Sequence, residues 1–137
     1  MNTPSPFTLW LSRIVLGLFT VLMTSICIKF MSDPVSNALA QGLTVSSSLG
    51  VTEIRVAYGA FPASFALIGL YCLLFTRYMA GLSLIAAMMG ILLSVRFYSG
   101  MTGHAMSQYS FILYAEGVFL ALSLLGIFLQ RKQQRKV

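Results

Sequence analysis

Residues 51–76 read VTEIRVAYGAFPASFALIGLYCLLFT, a stretch apolar enough to cross a lipid bilayer that still carries Glu53 and Arg55 near its beginning. About 20 mainly apolar helical residues span the ~30 Å hydrocarbon core of a membrane. Three further stretches meet this requirement, so the predicted spans are residues 9–30, 51–76, 79–99 and 107–129. The sequence therefore predicts an all-α membrane protein, a four-transmembrane-helix bundle.

Composition supports this fold class. The chain has 137 residues, of which 58% are hydrophobic and only 9% are charged, whereas a soluble domain carries roughly a quarter charged residues. The connections between spans are short, so we expect residues 1–137 to form a single integral membrane domain with a basic tail at 130–137. Any chemistry must then take place within the helices or at their rims.

The distribution of cations predicts the orientation. Lys and Arg favour the cytoplasmic side of short connections. Four cations lie in the tail, at 131, 132, 135 and 136, and Arg77 lies in the turn between the second and third spans. With four spans these sites share one side, and Arg13 near the start of the first span agrees. Both termini are therefore expected in the cytoplasm, with the tail as a solvated anchor and no nucleic acid as a partner.

Four charged residues inside the spans are the candidate site: Glu53, Arg55, Arg96 and Glu116. Such groups cost about 2.5 to 3.5 kcal/mol each at a helix centre, so they usually have a use. The predicted orientation places all four in the outer half of the bilayer, where two acids and two bases could neutralise each other. Tyr58 could donate a hydrogen bond to a ligand in the same layer.

Two of these residues also have a simpler interpretation. Glu53 could be a favourable charge near a helix N-terminus, and Arg96 could extend to the lipid headgroups. Glu116 lies roughly 13 Å deep at 1.5 Å per residue, so its short side chain cannot reach the lipid headgroups. It is expected either to pair with Arg55 or Arg96 or to bind or move something. Possible accessory residues are Tyr98, His104 and Tyr109, with His104 a spectator or a proton relay to Glu116.

Two local features are predicted around this layer. Asp33 followed by Pro34 favours a short amphipathic helix over residues 34–41 in the first outer connection, ended by Gly42. This helix could be a lid over the polar layer or a plain connector. Pro62 removes a backbone donor and frees the carbonyl of Tyr58, so a helix kink is expected there.

The remaining chemistry-bearing residues favour no catalytic or metal site. Cys27 is predicted near the outer side of the membrane and Cys72 near the inner side, too far apart for a disulfide. The chain has one histidine. The Cys and His residues are not clustered in the sequence as they are in zinc sites. We expect no catalytic residue, no metal and no cofactor.

The sequence resembles a bacterial family of small four-helix membrane proteins, a domain of unknown function, and is loosely similar to the wider DoxX-like group. The similarity covers the chain from the first span to Leu129. It rests on the run Glu53-Ile54-Arg55-x-x-Tyr58-Gly59, on Arg96 and on Glu116. Ala60 stands where a second glycine is expected. The resemblance implies a multi-pass protein of the bacterial inner membrane and no established reaction.

Three functions are compatible with these observations. The first is a small inner-membrane binding or accessory protein, whose Glu/Arg layer holds a lipid-like or amphipathic ligand or a membrane partner. The alternative is a proton-coupled small transporter that uses Glu116. An intramembrane enzyme with paired carboxylates is conceivable but less favoured. The expected partners are membrane lipids, with a membrane protein or a second copy of the chain as further possibilities.

Overall fold

The structure is a computed structural model that describes residues 5–102 and 110–134. Every regular element in this part of the chain is helical. In chain order the elements are α1 (Pro6–Ser32), α2 (Pro34–Ala40), α3 (Ser48–Arg55), a π-helical turn (Val56–Ala60), α4 (Phe61–Leu74), α5 (Tyr78–Met101) and α6 (Ser110–Gln134).

Four helical stretches among the described residues are long and apolar enough to cross a membrane, namely Pro6–Ser32, Ser48–Leu74, Tyr78–Met101 and Ser110–Gln133. The predicted number of spans is therefore confirmed, and the chain is a multi-pass membrane protein. The second span begins three residues earlier than predicted. The cause is the Ser47 side chain, which accepts a hydrogen bond of 3.1 Å from the Gly50 amide and so starts the helix within the polar serine run.

The chain divides into two compact units. The terminal unit comprises the described residues of Met1–Leu16 and Cys72–Val137, and the central unit is Gly17–Tyr71. In the terminal unit α5 packs against α6, and the core includes Leu16, Leu82 and Ile85, all fully buried. A β-carbon added at Gly126 of α6 would lie 2.8 Å from a Leu82 methyl group, so glycine permits this close helix contact.

In the central unit the second half of α1 runs antiparallel to the second span. A β-carbon at Gly59 would lie 2.7 Å from the sulfur of Met31, and one at Gly69 would lie 2.6 Å from the hydroxyl of Thr20. These two contacts, ten residues apart on one helix and eleven on the other, fix the antiparallel alignment. Phe19 of α1 is fully buried.

The short helix after α1 is confirmed, and it is one residue shorter than predicted. The Asp33 side chain accepts a hydrogen bond of 3.1 Å from the Ser36 amide at its N-terminus, and Pro34 occupies the first position. Gly42 follows the helix with a φ of 76°, a left-handed conformation that glycine adopts without steric cost. Its amide donates to the Leu39 carbonyl at 2.9 Å.

The segment before Pro62 is a π-helical turn over Val56–Ala60, which the sequence pattern did not predict. The Phe61 amide donates to the Val56 carbonyl, five residues earlier. Pro62 has no N–H, so it cannot donate to the Tyr58 carbonyl four residues earlier. The sequence predicts the loss of this α-helical bond, and the wider turn agrees with it. A kink of the helix axis at Pro62 stays a prediction.

Candidate functional site

Arg96 and Glu116 form an ion pair in the terminal unit. The Arg96 Nε–H is shared between both carboxylate oxygens, at 3.0 Å to Oε1 and 2.8 Å to Oε2. Arg96 lies in the second-last turn of α5, and Glu116 lies in the second turn of α6, the helix that packs against it. Of the two pairings that the sequence allowed for Glu116, the structure shows the one with Arg96.

The two partners differ in their exposure. The Glu116 side chain is 9% exposed, whereas the Arg96 side chain is 30% exposed. A buried carboxylate without a partner would carry a large desolvation cost, and the charge-assisted bonds from Arg96 compensate for it. The partly exposed guanidinium leaves the pair within reach of a molecule at the protein surface.

Aromatic side chains surround this end of the α5–α6 hairpin. They are strongly exposed on the last two turns of α5 and the first two of α6: Phe97, Tyr98, Phe111 and Tyr114. Aromatic residues are enriched where hydrocarbon meets headgroups, and this end of the hairpin has such a composition. The predicted accessory residue Tyr98 belongs to this exposed set, with 70% of its surface accessible.

The other predicted residues of the charged layer belong to the central unit. Glu53 and Arg55 are both exposed, and neither forms an ion pair with another described residue of that unit. No acidic residue lies in the first turn of α3, so the helix-dipole interpretation of Glu53 loses support. Tyr58 stacks on Phe30 with ring centroids 4.8 Å apart. A common layer of all four charges stays a prediction.

His104 and Tyr109 lie outside the described residues. In the part of the chain that is described, no three His, Cys, Asp or Glu side chains come together as a metal site would require.

A network of neutral polar side chains, which sequence reasoning missed, joins the beginning of α1 to the end of α6. Gln133 Nε2 donates to the hydroxyls of Ser5 and Thr8, both at 2.9 Å. Gln130 Nε2 donates to Ser12 Oγ at 2.9 Å, and Thr8 and Ser12 are fully buried. The signal was the spacing of Thr8 and Ser12 by four residues, which places both on one helix face.

Arg13 is fixed beside this network. Its Nε–H donates to the Tyr78 hydroxyl at 2.9 Å, and its guanidinium carbon lies 5.9 Å from the centre of the Tyr78 ring. Tyr78 is buried, with 7% of its surface accessible. The sequence identified Arg13 only as a sign of orientation, and the structure adds a specific partner.

A buried hydroxyl lies between these two polar sites on α6. Glu116, Ser123 and Gln130 follow each other at intervals of seven residues, which places them on one helix face. Ser123 Oγ is fully buried and has no hydrogen-bond partner among the described residues. Polar groups thus occur along the inner face of α6 over three different levels.

No family model, no curated protein and no solved structure matches the chain. The resemblance to small four-helix membrane proteins therefore stays an expectation from sequence.

Proposed function

We propose that the protein is a small membrane binding or accessory protein that holds a lipid-like or amphipathic ligand, or a membrane partner, at the Arg96–Glu116 pair. The observation that supports this proposal is the unequal exposure of the pair. A buried carboxylate holds an arginine that is 30% exposed at the end of a membrane span. A purely structural pair gains nothing from such access.

The chemistry of the pair suggests the kind of ligand. Arg96 would bind an anionic oxygen of the ligand, and Glu116 would accept a hydrogen bond from a donor on the same headgroup. The exposed aromatic side chains around the pair would contact the apolar part of the molecule. In the central unit Glu53, Arg55 and Tyr58 are proposed as a second set of polar contacts.

The proposed location is the inner membrane of a bacterium, with both termini in the cytoplasm. Positive residues favour that side, and the tail after residue 130 contains four of the nine cations of the chain. The Arg96–Glu116 pair would then lie in the outer half of the bilayer.

The decisive experiment is gentle extraction from native membranes, followed by mass spectrometry of the molecules that stay bound. A specific lipid or protein should co-purify with the native protein and be lost in Arg96→Ala, while a Lys29→Ala control retains it. An Arg55→Ala variant tests the second set of contacts separately. Equal recovery of bound molecules with native protein and Arg96→Ala, in folded samples, would contradict the proposal.

A second candidate, a proton-coupled transporter, is favoured by the burial of Glu116, the one acid of the terminal unit. Buried acids in membrane spans often carry protons. In that case Glu116→Gln keeps the fold and abolishes proton-linked flux in sealed vesicles. Equal proton-linked flux in native protein and Glu116→Gln would exclude the transporter and would not contradict the binding function.

A further inference from the structure

The net positive charge of the chain lies in one of its two units. The terminal unit contains seven of the nine cations and one of the three acids, whereas the central unit contains two of each. The terminal unit therefore has the whole net charge of +6, and the central unit is neutral. The single acid of the terminal unit, Glu116, is bonded to Arg96. Six cations remain in a unit that has no second Asp or Glu side chain.

Apart from Arg96, the described cations of the terminal unit lie at one end of it, and hydrogen bonds join the helices there. The bonds from Gln130 and Gln133 join the end of α6 to the beginning of α1, and the Arg13–Tyr78 bond joins α1 to the beginning of α5. Arg77 immediately precedes α5, and Arg131 and Lys132 lie in the last turn of α6. We call this set, Arg13, Arg77, Arg131 and Lys132, the basic end.

Arg13 is positioned more strictly than orientation in a membrane requires. A cation that only marks the cytoplasmic side needs no fixed geometry, because its effect depends on charge alone. Arg13 instead has its Nε bonded to a buried tyrosine hydroxyl and its guanidinium close to the ring of the same residue. Its side chain is nevertheless exposed. An arginine that is fixed on one side and accessible on the other is suited to bind an oxyanion.

The surface next to Arg13 is aromatic and apolar. Trp10 is three residues from Arg13, so the two side chains are neighbours on α1, and Trp10 is 62% exposed. Phe7, one turn earlier, is 66% exposed. Such residues occupy the boundary between headgroups and acyl chains. A molecule at this place therefore meets a cation and an apolar surface together.

We infer that the basic end is a binding site for the headgroup of an anionic phospholipid, with its phosphate on Arg13 and an acyl chain along Phe7 and Trp10. The neighbouring cations at 77, 131 and 132 add attraction for the negative charge, about fivefold in affinity for each cation near an anionic surface. This site is independent of the Arg96–Glu116 pair, so either can fail without the other.

Trp10 provides a local test, because it is the single tryptophan of the chain. The full-length protein is placed in phosphatidylcholine vesicles that contain an equal, small fraction of either brominated phosphatidylglycerol or brominated phosphatidylcholine. Bromine quenches fluorescence only at short range. In the native protein the anionic lipid is expected to associate next to Trp10 at least about fivefold more strongly than the zwitterionic one.

The variants separate a positioned site from general attraction. Arg13→Gln should remove most of this preference, and Arg13→Lys, which keeps the charge but loses the Nε bond to Tyr78, should give an intermediate value. Lys29→Gln is the matched control, because it removes one cation from the central unit and should leave the preference intact. Tyr78→Phe should weaken it even if Arg13→Gln fails to fold. Equal quenching by both lipids in the native protein, or a full preference in folded Arg13→Gln, overturns the inference.

Discussion

Among the described residues, Arg96 is the side chain that neutralises Glu116. The contribution of this pair to stability can therefore be measured with single variants. Glu116→Gln leaves the arginine without its carboxylate, and we expect a loss of about 1–3 kcal/mol in the free energy of unfolding, less than for a fully buried pair because Arg96 is 30% exposed. Arg96→Gln should cost a similar amount. Unfolding in detergent, followed by circular dichroism, measures both variants.

The double variant Arg96→Gln/Glu116→Gln provides the control for this prediction. Two amides can bond to each other and no charge is left unpaired, so the double variant should lose clearly less stability than the sum of the two single variants. Strictly additive losses would show that the two side chains do not interact in the folded protein.

Buried hydroxyls in the terminal unit should respond to removal in opposite ways. Ser123→Ala removes a fully buried hydroxyl that has no described partner, so stability should stay unchanged or rise by up to about 1 kcal/mol. Ser12→Ala removes the acceptor for Gln130 Nε2 and should cost about 1 kcal/mol. The midpoint of thermal unfolding in detergent compares the two. A larger loss for Ser123→Ala would reveal a bound water or another partner for that hydroxyl.

At the scale of the helices, Gly81 and Gly90 of α5 differ in how closely other atoms approach them. A β-carbon at Gly81 would lie 2.9 Å from the Cys72 β-carbon, which cannot move away without its backbone, whereas one at Gly90 would have no atom within 4 Å. Gly81→Ala should therefore lower the unfolding temperature, and Gly90→Ala should leave it unchanged or raise it slightly, because alanine favours the helix. The same thermal assay decides. Equal effects would mean that α5 does not pack closely at Gly81.

Ala86, Gly90 and Ser94 of α5 are small residues at a four-residue spacing, a pattern that favours a packing face within the bundle or between protomers. The structure places the close contacts of α5 elsewhere, at buried residues such as Gly81, Leu82 and Ile85. Ser94 is exposed, and Gly90 has no neighbouring atom where its β-carbon would lie. Small residues at regular intervals permit close contact between helices but do not determine which face is used.

Helix α2 depends on Asp33, and this dependence should appear in a titration. Hydrogen bonds from the Ser36 side chain and then from its backbone amide lower the pKa of Asp33 below the usual value of about 3.9. Because the folded-state pKa is lowered, the stabilisation is complete above about pH 4 and is lost as the pH falls through the folded-state value. Carbon-13 NMR of the carboxyl group should show this low pKa. Ser36→Ala should raise this pKa, because it removes the side-chain bond and keeps the backbone bond. A native pKa at the usual value would contradict the cap, and an unchanged pKa in Ser36→Ala would contradict the side-chain bond.

For the molecule as a whole, the proposed orientation can be tested by labelling from one side. With both native cysteines replaced by serine, a cysteine at Thr44 should react with an impermeant maleimide added outside intact cells, and one at Arg77 should react only after the membrane is opened. The reason is the preference of cations for the cytoplasmic side. Labelling in the reverse pattern would invert the proposed topology, and the Arg96–Glu116 pair would then lie in the inner half.

The helices were predictable because length and hydropathy decide which segments enter a membrane. The helix ends were less predictable, since the start of α3 depends on a single capping bond from Ser47. In the candidate site, the sequence limited the partner of Glu116 to Arg55 or Arg96. The packing of α5 on α6 then brings Arg96 to Glu116. The spacing of Thr8 and Ser12 was a signal for a polar face on α1, but Gln130 and Gln133 gave no sign that they were its partners, because polar residues at a helix end usually face water or headgroups.

The uneven division of charge also lets the membrane voltage favour one orientation of the protein. With the basic end on the cytoplasmic side, as proposed, turning the protein over would move six positive charges against an inside-negative potential. Each charge contributes about 2.3 kcal/mol at 100 mV, so the electrical work alone amounts to about 14 kcal/mol. In the proposed orientation, the voltage of an energised cell would therefore oppose inversion of the protein after its insertion.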